Sequence, residues 1–343
     1  MPSTALEGIT TDTGWVIGSM IDKRAGSGGN FCVQYTAQSP SGEIGFLKAM
    51  DLTRAMSSGN LEAIGKTINE YVFEQNILKE CKGNKLTRVV TPLDSGEVKS
   101  PNHPDPFNRV WYIIFSMADN DLRGQYLQGE AISWRELFKS LHHVAIGIRQ
   151  LHGIGIAHQD IKPSNILCYQ DKGSKISDLG RVTNVSGTSP FSNIEYTGDR
   201  SYAPLEAWFP GMIREFSDRK LSDVFMFGSL VFHTIMGVQI SACILEEVKL
   251  IHPRINSLSF AEGLPFYKSA FVTILNRFSE RCNELFDQRI ADELTSIVKE
   301  LCEPDPDTRG NIKKLSKGAR LSMDRYVGKM NMVHQNACVL GMK

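Results

Sequence analysis

Apolar positions change rhythm along this chain. In its first third they alternate or fall in short runs; later they recur every three or four residues. Trp15-Val16-Ile17-Gly18, the alternating Phe31-Cys32-Val33-Gln34-Tyr35-Thr36, and Ile44 to Ala49 after a Ser-Pro-Ser-Gly turn read as strands. Ile64, Ile68, Tyr71, Leu78 and Cys81 predict a helix over residues 60–80. Strand signal returns at Val89-Val90 and from Val110 to Phe115, and Lys99 to Asn108, with Pro101, Pro104 and Pro106, reads as a loop. Beyond Asp121 come three helical stripes: Leu137, Leu141, Val144, Ile148 and Leu151; Val224, Phe227, Val231 and Ile235; and Ile290, Leu294, Ile297 and Leu301. A last stripe, Ile312, Leu315, Ala319, Met323, Tyr326, Met330 and Val333, predicts a C-terminal helix. It either packs back on the helical part or forms a homodimer surface. The pattern divides the chain into a frayed N-terminal extension (1–14), a strand-rich part (15–115), a hinge (116–121), a helical part (122–312) and a helical extension (313–343). The fold class is α+β.

Composition narrows the classes. The chain has 343 residues, 41% of them hydrophobic, a content that argues against disorder. Its 38 Lys plus Arg balance 38 Asp plus Glu, which offers no basic excess for nucleic acid. The balance is a sum of local blocks, acidic over 278–308 and basic over 311–329. Seven scattered cysteines without a C-x-x-C pair fit neither a zinc site nor a disulfide framework, so reduced thiols in a cytoplasmic setting are expected. The most apolar run, Val224 to Val238, is interrupted by Gly228, Ser229, His233 and Thr234, and falls short of the ~18–20 residues of a membrane span. The opening Met-Pro-Ser-Thr-Ala-Leu-Glu has no secretory signal pattern.

The chemistry is concentrated in His158-Gln159-Asp160-Ile161-Lys162-Pro163-Ser164-Asn165-Ile166-Leu167, followed by Asp178-Leu179-Gly180. The segment gathers two carboxylates, a lysine and an amide, so that hard oxygen donors stand close to a cation. The run resembles the catalytic loop and metal-binding motif of the protein kinase superfamily, of the eukaryotic serine/threonine type. The resemblance implies a bilobal fold, with a small antiparallel-sheet lobe carrying one main helix and a larger, mainly α-helical lobe. It implies Asp160 as base, Lys162 steadying the transferred phosphate, and Asn165 and Asp178 holding Mg2+. Gly26-Ser27-Gly28 resembles the glycine-rich loop over the phosphates of ATP, with Val33 above and Leu167 below the adenine. Lys48, in Phe46-Leu47-Lys48, resembles the phosphate-contacting lysine; its partner is taken as Glu74 rather than Glu70. The spacing from Lys48 to Glu74 implies an inserted stretch around Arg54–Gly65.

Three further segments extend the likeness over roughly residues 15–312. Tyr202-Ala203-Pro204-Leu205-Glu206 resembles the end of the activation segment. Ser222-Asp223-Val224 resembles the start of a buried helix whose Asp anchors the catalytic loop, and Pro304 to Arg309 resembles the segment whose Arg pairs with Glu206. Small-molecule kinases lack these platform elements, so the expected substrate is a protein. Lys162-Pro163 resembles the pattern of serine and threonine acceptors.

Departures leave alternatives. Gln159 replaces the usual Arg that grips a phosphorylated activation segment, so activity is expected not to depend on that contact. Asp199 occupies the place of a bridging Thr, unless the segment is shifted and Thr197 or Ser201 takes the role. Phe31 in place of a third glycine and Phe46 in place of a small roof residue keep a second reading, a pseudokinase acting by binding. The residue at the back of the nucleotide slot is Phe115 or Ile114. Thr183, Ser186, Thr188, Ser189, Ser192, Tyr196 and Thr197 offer either autophosphorylation sites or a solvated loop.

Overall fold

The computed structural model describes residues 1–22, 32–50, 60–101, 103–104, 108–127, 133–311 and 321–342. Gly26, Ser27, Gly28, Phe31, the first half of the inserted stretch (54–59), Ile312, Leu315 and Ala319 lie outside the described residues. The chain forms two compact units. One comprises Met1–Leu86 and Val90–Asp119; the other comprises Thr87–Val89 and Asn120–Lys343.

The first unit is an antiparallel sheet of β1 (Val16–Met20), β2 (Cys32–Gln38), β3 (Ile44–Met50), β4 (Asp94–Lys99) and β5 (Arg109–Ser116), in the order β1-β2-β3-β5-β4. Between β3 and β4 runs α1 (Leu61–Gly83), whose first turn is capped by Asn60 Oδ1 accepting from Glu62 N–H at 2.8 Å. Side chains alternate faces along a strand, so the register sorts them. Tyr35, Ala37, Leu47, Ala49, Val110, Tyr112 and Ile114 share one buried core with Ile17 and Val98. Cys32, Phe46, Lys48, Trp111, Ile113 and Phe115 belong to the other face, where Tyr71 of α1 stacks at 6.4 Å on Trp111 and donates to Tyr112 O at 3.0 Å.

Two expectations need correction here. The first residues are not frayed. Leu6 is fully buried in the sheet core, and Tyr35 Oη donates to Ser3 O at 2.7 Å. Thr13 Oγ1 donates to Asp94 Oδ2 at 2.5 Å, and Tyr112 Oη reaches the same oxygen at 3.0 Å. A small, polar composition hid one large apolar anchor. The strand expected at Val89-Val90 is a single bridge from Val89 to Ile176, and the strand proper is β4, Asp-Ser-Gly-Glu-Val-Lys. An edge strand needs only one apolar side chain inward, here Val98, so hydropathy gives it little signal.

In the second unit, β6 (Asn120–Asp121) joins a hairpin of β8 (Ile166–Tyr169) and β9 (Gly173–Ile176). The helix α2 (Trp134–Gly153) leads into β7 (Ile156–Ala157), which pairs with β10 (Thr183–Asn184). The helix α3 (Phe216–Met236) is the spine of the unit: Phe225, Phe227 and Phe232 are fully buried, and it stops at Gly237 in the left-handed conformation. Around it lie α4 (Ile240–Ile251), α5 (Phe260–Leu285) and α6 (Gln288–Leu301). The C-terminal stripe forms α7 (Asp324–Val339), which buries Tyr326, Met330, Val333 and Ala337 against α2 and α6. Lys329–Glu293 and Arg325–Glu300 ion pairs, at 2.6 and 2.7 Å, fix it on α6. No single helix among the described residues is long and apolar enough to cross a membrane. None of the seven cysteines is joined in a disulfide.

Candidate active site

In the first unit, Lys48 Nζ lies 2.9 Å from Glu74 Oε1 and 3.3 Å from Oε2. The strand β3 supplies the lysine from the face opposite Leu47 and Ala49. The helix α1 presents Glu74 beside Phe73, Ile77 and Leu78, all buried. The glutamate is 8% exposed, and a carboxylate so buried needs a partner such as this ammonium.

The register corrects one expected contact and decides another. Val33 pairs with Ala49 and packs on the core away from Lys48, so it does not share the lysine's face. Counting from a glycine-rich loop misses by one residue, and a slip of one exchanges faces. Cys32, opposite Met50, stands on the Lys48 face instead. Phe115 lies opposite Phe46 on that face, whereas Ile114 is sealed in the other core; of the two candidates Phe115 is the one on the lysine's face, although the residue directly opposite Lys48 is Ile113.

In the second unit the catalytic-loop residues converge. After β7, Asp223 from α3 takes the backbone in hand: its Oδ2 accepts from His158 N–H at 2.8 Å and its Oδ1 from Gln159 N–H at 2.6 Å. His152 Nε2 adds a contact to Oδ2 at 2.8 Å. These bonds hold Gln159 at φ 62°, a left-handed conformation that a non-glycine residue adopts only when its surroundings impose it. The next residue, Asp160, is thereby aimed. Its Oδ1 accepts from Asp199 N–H at 2.8 Å, and its Oδ2 meets Asn165 Nδ2 at 2.9 Å and Lys162 Nζ at 3.0 Å. The carboxylate is only 10% exposed and takes these three donors on its two oxygens.

Asp199 itself occupies the bridging place. Lys162 Nζ lies 3.7 Å from its Oδ2, while Thr197 Oγ1 donates to Arg181 O and Ser201 Oγ to Asp199. Burial pushes the Asp199 carboxyl up, but the Ser201 hydroxyl and N–H and then the Lys162 ammonium outweigh it and hold it below the usual value. Tyr196 is the converse: burial first, then the charges of Asp160, Asp223, Asp199 and Glu206, raise its phenol well above the ordinary value.

Asn165 gives both bonds to Asp160 from Nδ2, at 2.8 Å to the carbonyl and 2.9 Å to the carboxylate. Its Oδ1 takes no hydrogen bond from the described residues. The β8–β9 hairpin ties Ser177 N–H to Asn165 O at 2.8 Å, so Asp178 follows directly, itself left-handed at φ 62°. Two hard oxygens from Asn165 and Asp178 suit Mg2+, a cation usually bound by one or two carboxylates together with substrate phosphates. Leu167, half-buried on β8, pairs with Asp121 and Lys175.

The activation segment is bonded along its length. Thr183, Ser189 and Thr197 are buried, with Ser189 donating to Val182 O at 2.8 Å, whereas Ser186 and Thr188 are exposed. Gly198 approaches the catalytic loop so closely that a Cβ there would lie 1.8 Å from Gln159 O. Behind it, Arg309 meets Glu206 at 2.6 and 3.0 Å, fully buried. Sequence reasoning missed Arg219, whose guanidinium reaches Gln159 and the segment. The signal was its place four residues before Asp223, on the same face of α3.

Similarity searches agree with this geometry. The protein kinase domain family matches residues 20–319. A membrane-associated tyrosine- and threonine-specific cdc2-inhibitory kinase of Caenorhabditis elegans is 25% identical over 84% of this chain and 57% of its own length. A G-type lectin S-receptor-like serine/threonine-protein kinase of Arabidopsis thaliana is 32% identical over 53% of this chain and 21% of its own. A 3-phosphoinositide-dependent protein kinase of Dictyostelium discoideum is 28% identical over 47% and 18%. The chain thus spans from about a fifth to a little over half the length of these relatives. The carboxylate of Asp160, its anchor Asp223 and the Glu206–Arg309 pair all fall inside the family match, and the chain belongs to the protein kinase superfamily.

Proposed function

We propose that the protein transfers the γ-phosphoryl group of ATP to serine or threonine hydroxyls of protein substrates, and to its own exposed Ser186 or Thr188. The observation that carries this reading is the Asp160 carboxylate, held in place by the Asp199 N–H, Asn165 Nδ2 and Lys162 Nζ. In the reaction a bond forms from the hydroxyl oxygen to the γ-phosphorus, the bond to the bridging oxygen breaks, the proton passes to Asp160 and ADP leaves. Lys162 neutralises charge on the transferred group, Lys48 binds phosphate while Glu74 orients it, and Asn165 and Asp178 hold Mg2+, which supplies positive charge to the phosphate oxygens. Within the first unit, Cys32, Phe46 and Phe115 stand on the lysine's face of the sheet, the face this reading gives to the nucleotide. Lys162-Pro163 supports serine and threonine as acceptors; the tyrosine in the name of the Caenorhabditis elegans relative makes acceptor identity part of the test.

The test is incubation of the purified protein with labelled ATP, Mg2+ and a mixed protein acceptor, followed by phosphoamino-acid analysis. Native protein is expected to label Ser and Thr, and Asp160→Asn and Lys48→Ala to lose ~10²–10⁴-fold of the rate while still folding. No label on any acceptor from folded native protein replaces this reading with that of a binding module; label on Tyr alone overturns the acceptor assignment.

A further inference from the structure

A cation shut away from water needs oxygens arranged around it. Arg219, in the first turn of α3, is 4% exposed. Its Nη1 donates to Gln159 Oε1 at 2.8 Å, and its Nη2 to Ser192 O at 2.8 Å and Ile194 O at 3.0 Å. Gln159 passes the contact on, donating from Nε2 to Thr183 Oγ1 at 3.0 Å. Arg219 therefore holds the activation segment at Ser192 and Ile194, and through Gln159 at Thr183. The same segment runs on to Asp199, whose N–H holds Asp160. Since Gln159 directly precedes Asp160, the bonds close a ring: Asp160, Gln159, Arg219, the segment, Asp199 and back to Asp160. These three acceptors of Arg219 are neutral oxygens, so its contacts require no phosphate.

We infer that Arg219 and Gln159 position the segment 183–199 against the catalytic carboxylate in place of a phosphorylated side chain, which makes Arg219 a positioning residue for phosphoryl transfer. The kinetic half of the inference rests on the function proposed above; the structural half does not.

The test is an exchange of the two side chains in the full chain. Arg219→Gln removes the fork, Gln159→Arg sets two guanidiniums against each other, and the double variant restores one amide and one guanidinium with places swapped. Deuterium uptake at amides 183–199 reads the segment without catalysis, and turnover of an acceptor protein, after phosphatase treatment of every sample, reads the chemistry. Each single variant is expected to raise uptake in 183–199 by about tenfold, leaving α6 protected, and to lower kcat by about tenfold with KM for ATP little changed. The double variant recovers most of both, and phosphatase leaves the native rate unchanged. Native-like uptake in both single variants overturns the inference, as does a native rate abolished by phosphatase and restored by re-phosphorylation. Loosening without recovery in the double variant also overturns it, because a general packing defect does not respond to the swap. If native protein transfers no phosphate while the single variants loosen the segment and the double tightens it, the proposed function fails and the anchor stands. Should Arg219→Gln fail to fold, Gln159→Met removes the acceptor for Arg219 and the donor to Thr183 while leaving the guanidinium in place, and unchanged uptake there is again an overturning result.

Discussion

Two arginines are sealed in the same unit and handle their charge in opposite ways. Arg309, fully buried, meets the Glu206 carboxylate through two bonds and lies 4.9 Å over the ring of Phe225. Arg219 bonds to one amide and two peptide carbonyls. A buried ion pair locks two groups together because losing either strands the other's charge. Carbonyl acceptors belong to a backbone that can turn back to water, so losing their donor strands far less. The first arrangement secures the folded platform; the second places a segment that the platform itself does not need.

Cutting the ion pair is the strongest way to break this contrast. Arg309→Met leaves Glu206 buried without its partner and is expected to cost about 3–5 kcal/mol in chemical unfolding. Adding Glu206→Leu should return most of that loss. If the single variant unfolds like native protein, the pair is not what keeps the platform together and the two arginines are alike.

Gly198→Ala sharpens the other side. The new methyl would press on Gln159 O, and overpacking of that kind costs about 1–3 kcal/mol. Turnover is expected to fall further than unfolding alone accounts for, because the displaced segment carries Asp199 away from Asp160. Unchanged turnover would show that the close approach has no part in positioning.

The smallest effect belongs to Asp199. Its folded pKa lies below the ordinary 3.8, so its ionised form contributes stability that is present above that value and lost as pH falls through the lower, folded one. The stability gap between native protein and Asp199→Asn should therefore be flat near neutrality and close in acid. With 39% of the side chain exposed the gap is modest and salt-sensitive, and a gap that widens in acid would reverse the assignment.

What could be read beforehand follows the strength of each physical signal. The helical stripes of α2, α3 and α6 were legible because three faces of buried Leu, Ile, Val and Phe repeat without interruption. Asp160, Lys162, Asn165 and Asp178 were legible because phosphoryl transfer demands those groups at close spacing. Val33 was misplaced because face assignment needs a register, and no count across a glycine-rich loop supplies one. The strand β4 and the anchor Leu6 sat in polar surroundings where one side chain does the packing. Arg219 stands outside every motif of the sequence; only the folded segment gives it acceptors.

The segment around Leu6 also has a history in time. It is made first, yet the oxygen that Thr13 bonds belongs to Asp94, 81 residues later, and the hydroxyl of Tyr112 comes later still. Until β5 has left the ribosome, the core that Leu6 shares with Ile17, Tyr35 and Leu47 lacks Val110, Tyr112 and Ile114. Contacts of such long range form slowly, since the intervening chain must be closed into a loop before any of them is gained. The sheet bearing Lys48 is thus completed late and in one step, and a nascent chain halted before residue 116 presents its apolar face to chaperones.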